Sequence, residues 1–191
     1  HDNYGGKTIK RDQEAPEHKA KRVADSTAAG LIWPSMQYEV AENCMTCHGL
    51  AHPDLKTEHL AKMLGAGHPI NPDFELVKYS QGSVRHRYYP PDIKTNAEMA
   101  PQDLAQIFVI GQAAALVSAT GAMSKSDEAK YKEAQNKRAE NAKAVLKNIP
   151  EAADLLASPS RENALKLSKA IDGKDLTSIV GSKLPAKPDY K

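Results

Sequence analysis

The sequence is poor in large aromatic side chains. Aromatic residues make up 5% of 191, with one Trp and two Phe. Only two cysteines are present, which excludes a small scaffold held together by several disulfides. Apolar runs are short, a few residues at most, and predict no membrane-spanning segment. Nor is one sign of charge in excess: 26 basic and 24 acidic groups leave a net charge of +2. A nucleic-acid-binding chain normally carries a clear basic excess, so no nucleic-acid partner is expected. Apolar residues still reach 40%, more than a wholly disordered chain contains. A folded domain is therefore expected, and the question is what fills its core.

The two cysteines stand next to a histidine. Cys44-Met45-Thr46-Cys47-His48 has the C-x-x-C-H spacing of a c-type haem attachment site. On a helix the thiols lie about one turn apart. There both can add to the vinyl groups of one porphyrin, and His48 follows as the proximal iron ligand. A thioredoxin-like redox pair would sit where a strand enters a helix, and no βαβ pattern occurs here. A zinc site would need two more Cys or His at ligand spacing. One covalently attached haem c is the expected cofactor. Such thioethers form outside the cytoplasmic membrane, so the expected location is periplasmic. A start at His1-Asp2-Asn3, without Met, fits a mature chain whose secretory signal has been removed.

The pattern along the chain predicts a mainly α fold in three regions. Residues 1–30 are polar and charged and read as an extended or loosely packed arm. Residues 31–123 form the haem-binding core, and residues 124–191 a helical extension packed on it. Helices are expected at Tyr38–His48 and at Thr57–Gly65, the second capped by Thr57 and stopped by Gly65-Ala66-Gly67. Residues 66–100 are rich in proline and read as a long irregular segment with an extended piece at Phe74–Tyr79. Pro101 opens a helix to about Ala119. Its small residues, Gly111 and Ala113 to Ala115, allow close approach of another helix or of the porphyrin. Ser126-Asp127-Glu128 caps a helix to about Lys147 with a weak apolar face. Shorter helices follow at Pro150–Ala157 and at Arg161–Asp172, capped by Ser160, with a turn or two at Asp175–Val180. An extended tail closes the chain.

The second axial position of the iron has several candidates. His52, His59, His18 and His1 lie on polar stretches or too close to the pentad. His68 follows Gly65-Ala66-Gly67 and precedes Pro69. The glycines free the backbone to approach a flat group and the proline stiffens the exit. Met99 is the competitor, on a loop before a helix, as in class I cytochromes c; Met123 is a further alternative. Arg85-His86-Arg87-Tyr88, followed by Tyr89, combines two cations with two phenols. It suits the haem propionates better than the iron.

Residues 44–117 resemble the haem-and-helix unit of the bacterial multihaem cytochromes c, the tetrahaem and octahaem carriers. The matching pieces are Cys44 to Gly49, Gly67-His68-Pro69, Phe74-Glu75-Leu76 and Val109 to Leu116. The resemblance implies bis-histidine iron with His68 as distal ligand. The chain departs from that family in having one C-x-x-C-H motif rather than several, so no haem-to-haem path runs within it.

The expected function is that of a periplasmic monohaem electron carrier rather than an enzyme, working with a redox partner protein. Two rivals stand beside it. One is a haem with an open sixth site that binds or turns over a small ligand such as NO, with Arg85, His86 and Tyr88 around it. The other is a haem-bearing subunit of a homodimer or larger complex, docking through the arm or the 127–147 helix. With so few aromatics, the porphyrin is expected to complete the core, and the native fold to depend on it.

Overall fold

A computed structural model describes residues 10–82 and 98–191. It is mainly α: 66% helix, with no strand among the described residues. Two compact units divide the chain, His1–Trp33 and Pro34–Lys191. In the first, Pro16–Ala28 forms helix α1, with Pro16 at its opening turn and no buried residue. Over this stretch the arm expected to be extended or loosely packed is helical, and none of the helix is buried. Glu14 braces it by accepting hydrogen bonds from Arg22 at 2.7 and 2.8 Å.

The second unit is built around one long helix. The helices are α2 (Gln37–His48), α3 (Thr57–Gly65), α4 (Leu76–Ser80), α5 (Pro101–Ala122), α6 (Ala129–Leu146), α7 (Ala153–Ala157), α8 (Arg161–Ala170) and α9 (Thr177–Val180). α5 is the axis. α2, α4, α6, α8 and α9 all pack against it. Its length and mean hydropathy of 1.5 would suit a membrane span, yet two thirds of that window is buried inside the unit. Short apolar runs broken by Gly111 and Gln112 add up to a helix that is apolar on nearly every side, because nearly every side is covered.

Alanine makes good the shortage of aromatics. Ala41, Ala105, Ala113, Ala114, Ala119, Ala139, Ala142, Ala152 and Ala164 are all buried in the main core. Small side chains let helix axes approach closely, so density comes from short separations rather than from large rings. Gly111 shows the limit: a Cβ there would lie 3.0 Å from Leu76 Cβ. The close approach foreseen at Gly111 is therefore made by α4.

Local chemistry differs from the sequence pattern in three places. Phe74–Tyr79 is not extended, because Glu75 accepts hydrogen bonds from the Val77 and Lys78 N–H groups and starts α4 there. Thr57 does not cap α3; its hydroxyl donates to the Lys125 carbonyl at 2.9 Å. The tail is partly helical, with a 3₁₀ turn at Lys187–Asp189, and the Lys191 N–H donates to the Lys78 carbonyl at 2.9 Å. Ser160 caps α8 as expected, accepting from Asn163 N–H.

Candidate haem site

The pentad lies on the last turns of α2. Tyr38, Ala41 and Met45 recur on one face and are buried in the main core. That leaves Cys44 half-buried and Cys47 and His48 exposed on the neighbouring faces. Both thiols are free. Burial pushes the Cys44 thiol above its ordinary pKa. The His48 ring stacks on Phe74, with centroids 3.8 Å apart and planes 9° from parallel, and Tyr79 lies at 5.9 Å. Burial, then the nearby charge of Arg138, lower the His48 pKa. The ring is therefore neutral at pH 7, the form that binds a metal.

The end of α2 is tightly specified. Leu50 N–H donates to the Cys47 carbonyl and Ala51 N–H to the Thr46 carbonyl, both at 3.0 Å. This is the Schellman pattern, whose left-handed residue is usually glycine. Here it is Leu50, at φ 49°. The glycine comes one residue earlier: Gly49, at φ −97°, has a conformation open to any residue. Space explains it, because a Cβ on Gly49 would overlap the Arg138 guanidinium.

Three polar side chains of α6, spaced i, i+4, i+7, clasp this end. Tyr131 Oη donates to the Leu50 carbonyl at 2.9 Å, and Gln135 Nε2 to the Gly49 carbonyl at 2.8 Å. Arg138 Nη1 donates to Gln135 Oε1, and Nη2 to Met45 Sδ at 3.4 Å and Ser118 Oγ at 3.1 Å. Arg138 is 4% exposed, and no carboxylate among the described residues pairs with it. Burial pulls its pKa down to about 10, so it stays charged at pH 7.

His68 is built differently. It follows Gly67, which takes φ 82° at the end of α3. Its N–H donates to the Met63 carbonyl at 2.9 Å, and its exposed ring places Nδ1 2.9 Å from the Pro69 carbonyl. The carbonyl can accept only from a protonated Nδ1, so in the neutral ring it is Nε2 that carries the lone pair. His68 lines a cleft of about 460 Å³ with Leu64, Ile70, Pro72 and the α6 residues Glu133 and Lys137; Cys44, Cys47 and His48 do not line it. Met99 is buried in the main core, and its Sδ accepts from Gln81 Nε2 at 3.3 Å. Met123 packs against the same core. His52 Nδ1 accepts from the Asp54 N–H at 3.2 Å, His59 Nε2 lies 3.5 Å from Glu58 Oε1, and His18 Nδ1 lies 2.6 Å from Glu14 Oε1. Arg85, His86, Arg87, Tyr88 and Tyr89 lie outside the described residues, as does His1.

The donor set suits a haem c: two free thiols on one helix, then a neutral imidazole held by stacking. Among the described residues, no group of three or more His, Cys, Asp or Glu is arranged for a metal ion, so a closed zinc site of protein ligands is not formed by them. Phe74 and the α6 clasp were not foreseen from sequence. A signal existed: Gln135 and Arg138 interrupt the Ala134, Ala142, Val145 stripe at positions that face the core. That is why the apolar face of α6 reads as weak. The helix is not a free docking surface over these positions, because the face lies against α5 and α2.

No protein-family model, no curated protein and no solved structure matches the chain.

Proposed function

We propose that the chain is a periplasmic monohaem c-type cytochrome that passes single electrons to or from a redox partner protein. The observation that carries this reading is the pair of free thiols, Cys44 and Cys47, ending in an imidazole that is neutral and held by Phe74. Cys44 and Cys47 would tether a haem c and His48 would serve as its first axial ligand. When bound there, the group supplies a one-electron iron couple. The chain's own residues do the rest. Stacking on Phe74 holds the His48 ring in one orientation. The clasp from Tyr131 and Gln135 keeps the last turn of α2 from fraying. His68, with Nδ1 on the Pro69 carbonyl, is the residue we assign to the second axial position. With His48 and His68 both holding the iron, the site would change charge without exchanging ligands, which suits electron transfer rather than catalysis.

The test is production in a periplasm with cytochrome c maturation machinery. One haem should remain attached after denaturation and be lost in Cys44→Ala/Cys47→Ala. The spectrum should be six-coordinate and low-spin and should not change under CO. A wild-type chain that emerges without covalent haem ends the proposal. Immediate CO or NO binding would instead favour the open sixth site, a reading helped by the exposure of His68 and by a cleft that the pentad does not line.

A further inference from the structure

The domain buries one charge that haem attachment does not require. Arg138 is 4% exposed and has no carboxylate partner among the described residues. Three neighbours accept from it, Gln135, Ser118 and Met45, and all are neutral. A buried cation without a counter-charge is costly to keep, and the surroundings are arranged to accept it. Gly49, directly after His48, leaves out the Cβ that would overlap the guanidinium. The left-handed conformation that glycine normally takes falls instead to Leu50. Arg138 also lines a cavity of about 230 Å³ with Phe74, the ring that stacks on His48. The cation therefore reaches the pentad from two directions: through Met45 on α2 and Gly49 just after it, and across the cavity toward Phe74.

We infer that Arg138 is a positioning residue for charge at the haem site, its fixed cation raising the reduction potential of iron held by His48. The inference rests on the haem reading above. One-electron reduction, by a partner protein, adds one negative charge to the site. A fixed positive charge in a poorly screened interior favours the reduced state. Neutral polar partners hold the guanidinium without cancelling its charge, as a carboxylate would.

The experiment is redox titration of haem-loaded wild type, Arg138→Met and Arg138→Lys. Arg138→Met keeps bulk and removes charge, and its midpoint potential should fall with the axial-ligand spectrum unchanged. Arg138→Lys keeps charge and changes the hydrogen bonds, and its potential should stay close to wild type. A merely structural clasp gives the opposite pattern: both variants lose thermal stability and neither potential moves. An unchanged potential in haem-loaded Arg138→Met overturns the inference. If that variant does not mature, Gly49→Ala displaces the guanidinium from the other side and should also lower the potential; no shift there overturns the inference equally. Absence of covalent haem in the wild type is a failure of the haem reading itself and is seen before any variant is titrated.

Discussion

Helices α2 and α3 end with the same hydrogen-bond pattern, and each presents one histidine near that end. At α2 the crossing bonds run from Leu50 and Ala51 to Cys47 and Thr46; at α3 they run from Gly67 and His68 to Leu64 and Met63. The left-handed residue is Leu50 in one and Gly67 in the other. Gly67 has open space around it, and glycine relieves the backbone at no steric cost. Leu50 is 5% exposed and takes a conformation that costs a non-glycine residue about 1–2 kcal/mol. Burial of its side chain and the bond from Tyr131 offset that cost. One end is held by tertiary packing and the other by local chain chemistry. On the proposed haem reading, a ligand that must be in place when haem is attached would belong on the first kind of end, and one that closes over the group afterwards could sit on the second.

The contrast predicts that removing the clasp on α2 costs far more than changing side chains at the end of α3. Gln135→Ala should have the largest effect. It takes away the donor to the Gly49 carbonyl and one acceptor of the Arg138 guanidinium. Two buried groups are left short of partners, one of them charged, and the expected loss is about 3 kcal/mol in denaturant unfolding. A loss below about 1 kcal/mol, the worth of an ordinary hydrogen bond, would remove the distinction between the two ends. Tyr131→Phe keeps the ring and deletes only the bond to the Leu50 carbonyl. It should cost about 1 kcal/mol, and amide exchange should quicken first at Leu50 and Ala51.

The two ends also differ in how far they can be read from sequence. The α3 end is written locally: Gly65-Ala66-Gly67 before His68 stops the helix, and the helix spans Thr57–Gly65 as the pattern predicts. The pentad itself is equally local. The setting of the pentad is not, because Tyr131, Gln135 and Arg138 lie more than 80 residues beyond it. Nothing near Gly49 shows that its missing Cβ makes room for an arginine. The same limit hides Phe74, since a proline-rich stretch gives no periodicity from which to place a ring. It also makes α4 read as extended: the Glu75 side chain starts a helix too short for its apolar repeat to show. The mainly α class is legible because it rests on long periodic segments, α5 and α6 above all. The core composition is legible only in part. Scarce aromatics point to a bulky group in the interior and say nothing of the alanines on α2, α5, α6 and α8 that are buried in the main core.

The finest test of the comparison is His68→Ala, where little should happen to the fold and much to the iron. The exposed ring makes its polar contact with its own neighbour, the Pro69 carbonyl. The bond that ends α3 comes from the His68 main chain and survives the substitution. Exposed substitutions of this kind usually change packing stability by less than about 0.5 kcal/mol, so helix content by circular dichroism should be unchanged. The absorption spectrum should pass from low-spin to high-spin, because the second axial position proposed for His68 would lose its imidazole. CO should then bind at once, where the wild type should resist it. Exogenous imidazole should restore the low-spin spectrum, since it supplies the lost donor to a position that α3 holds in shape without it. If the spectrum stays low-spin, the sixth ligand lies elsewhere and the comparison must be redrawn. Met99 would then have to leave Gln81 and the core to reach the iron, and Met99→Leu rather than His68→Ala would give the high-spin spectrum.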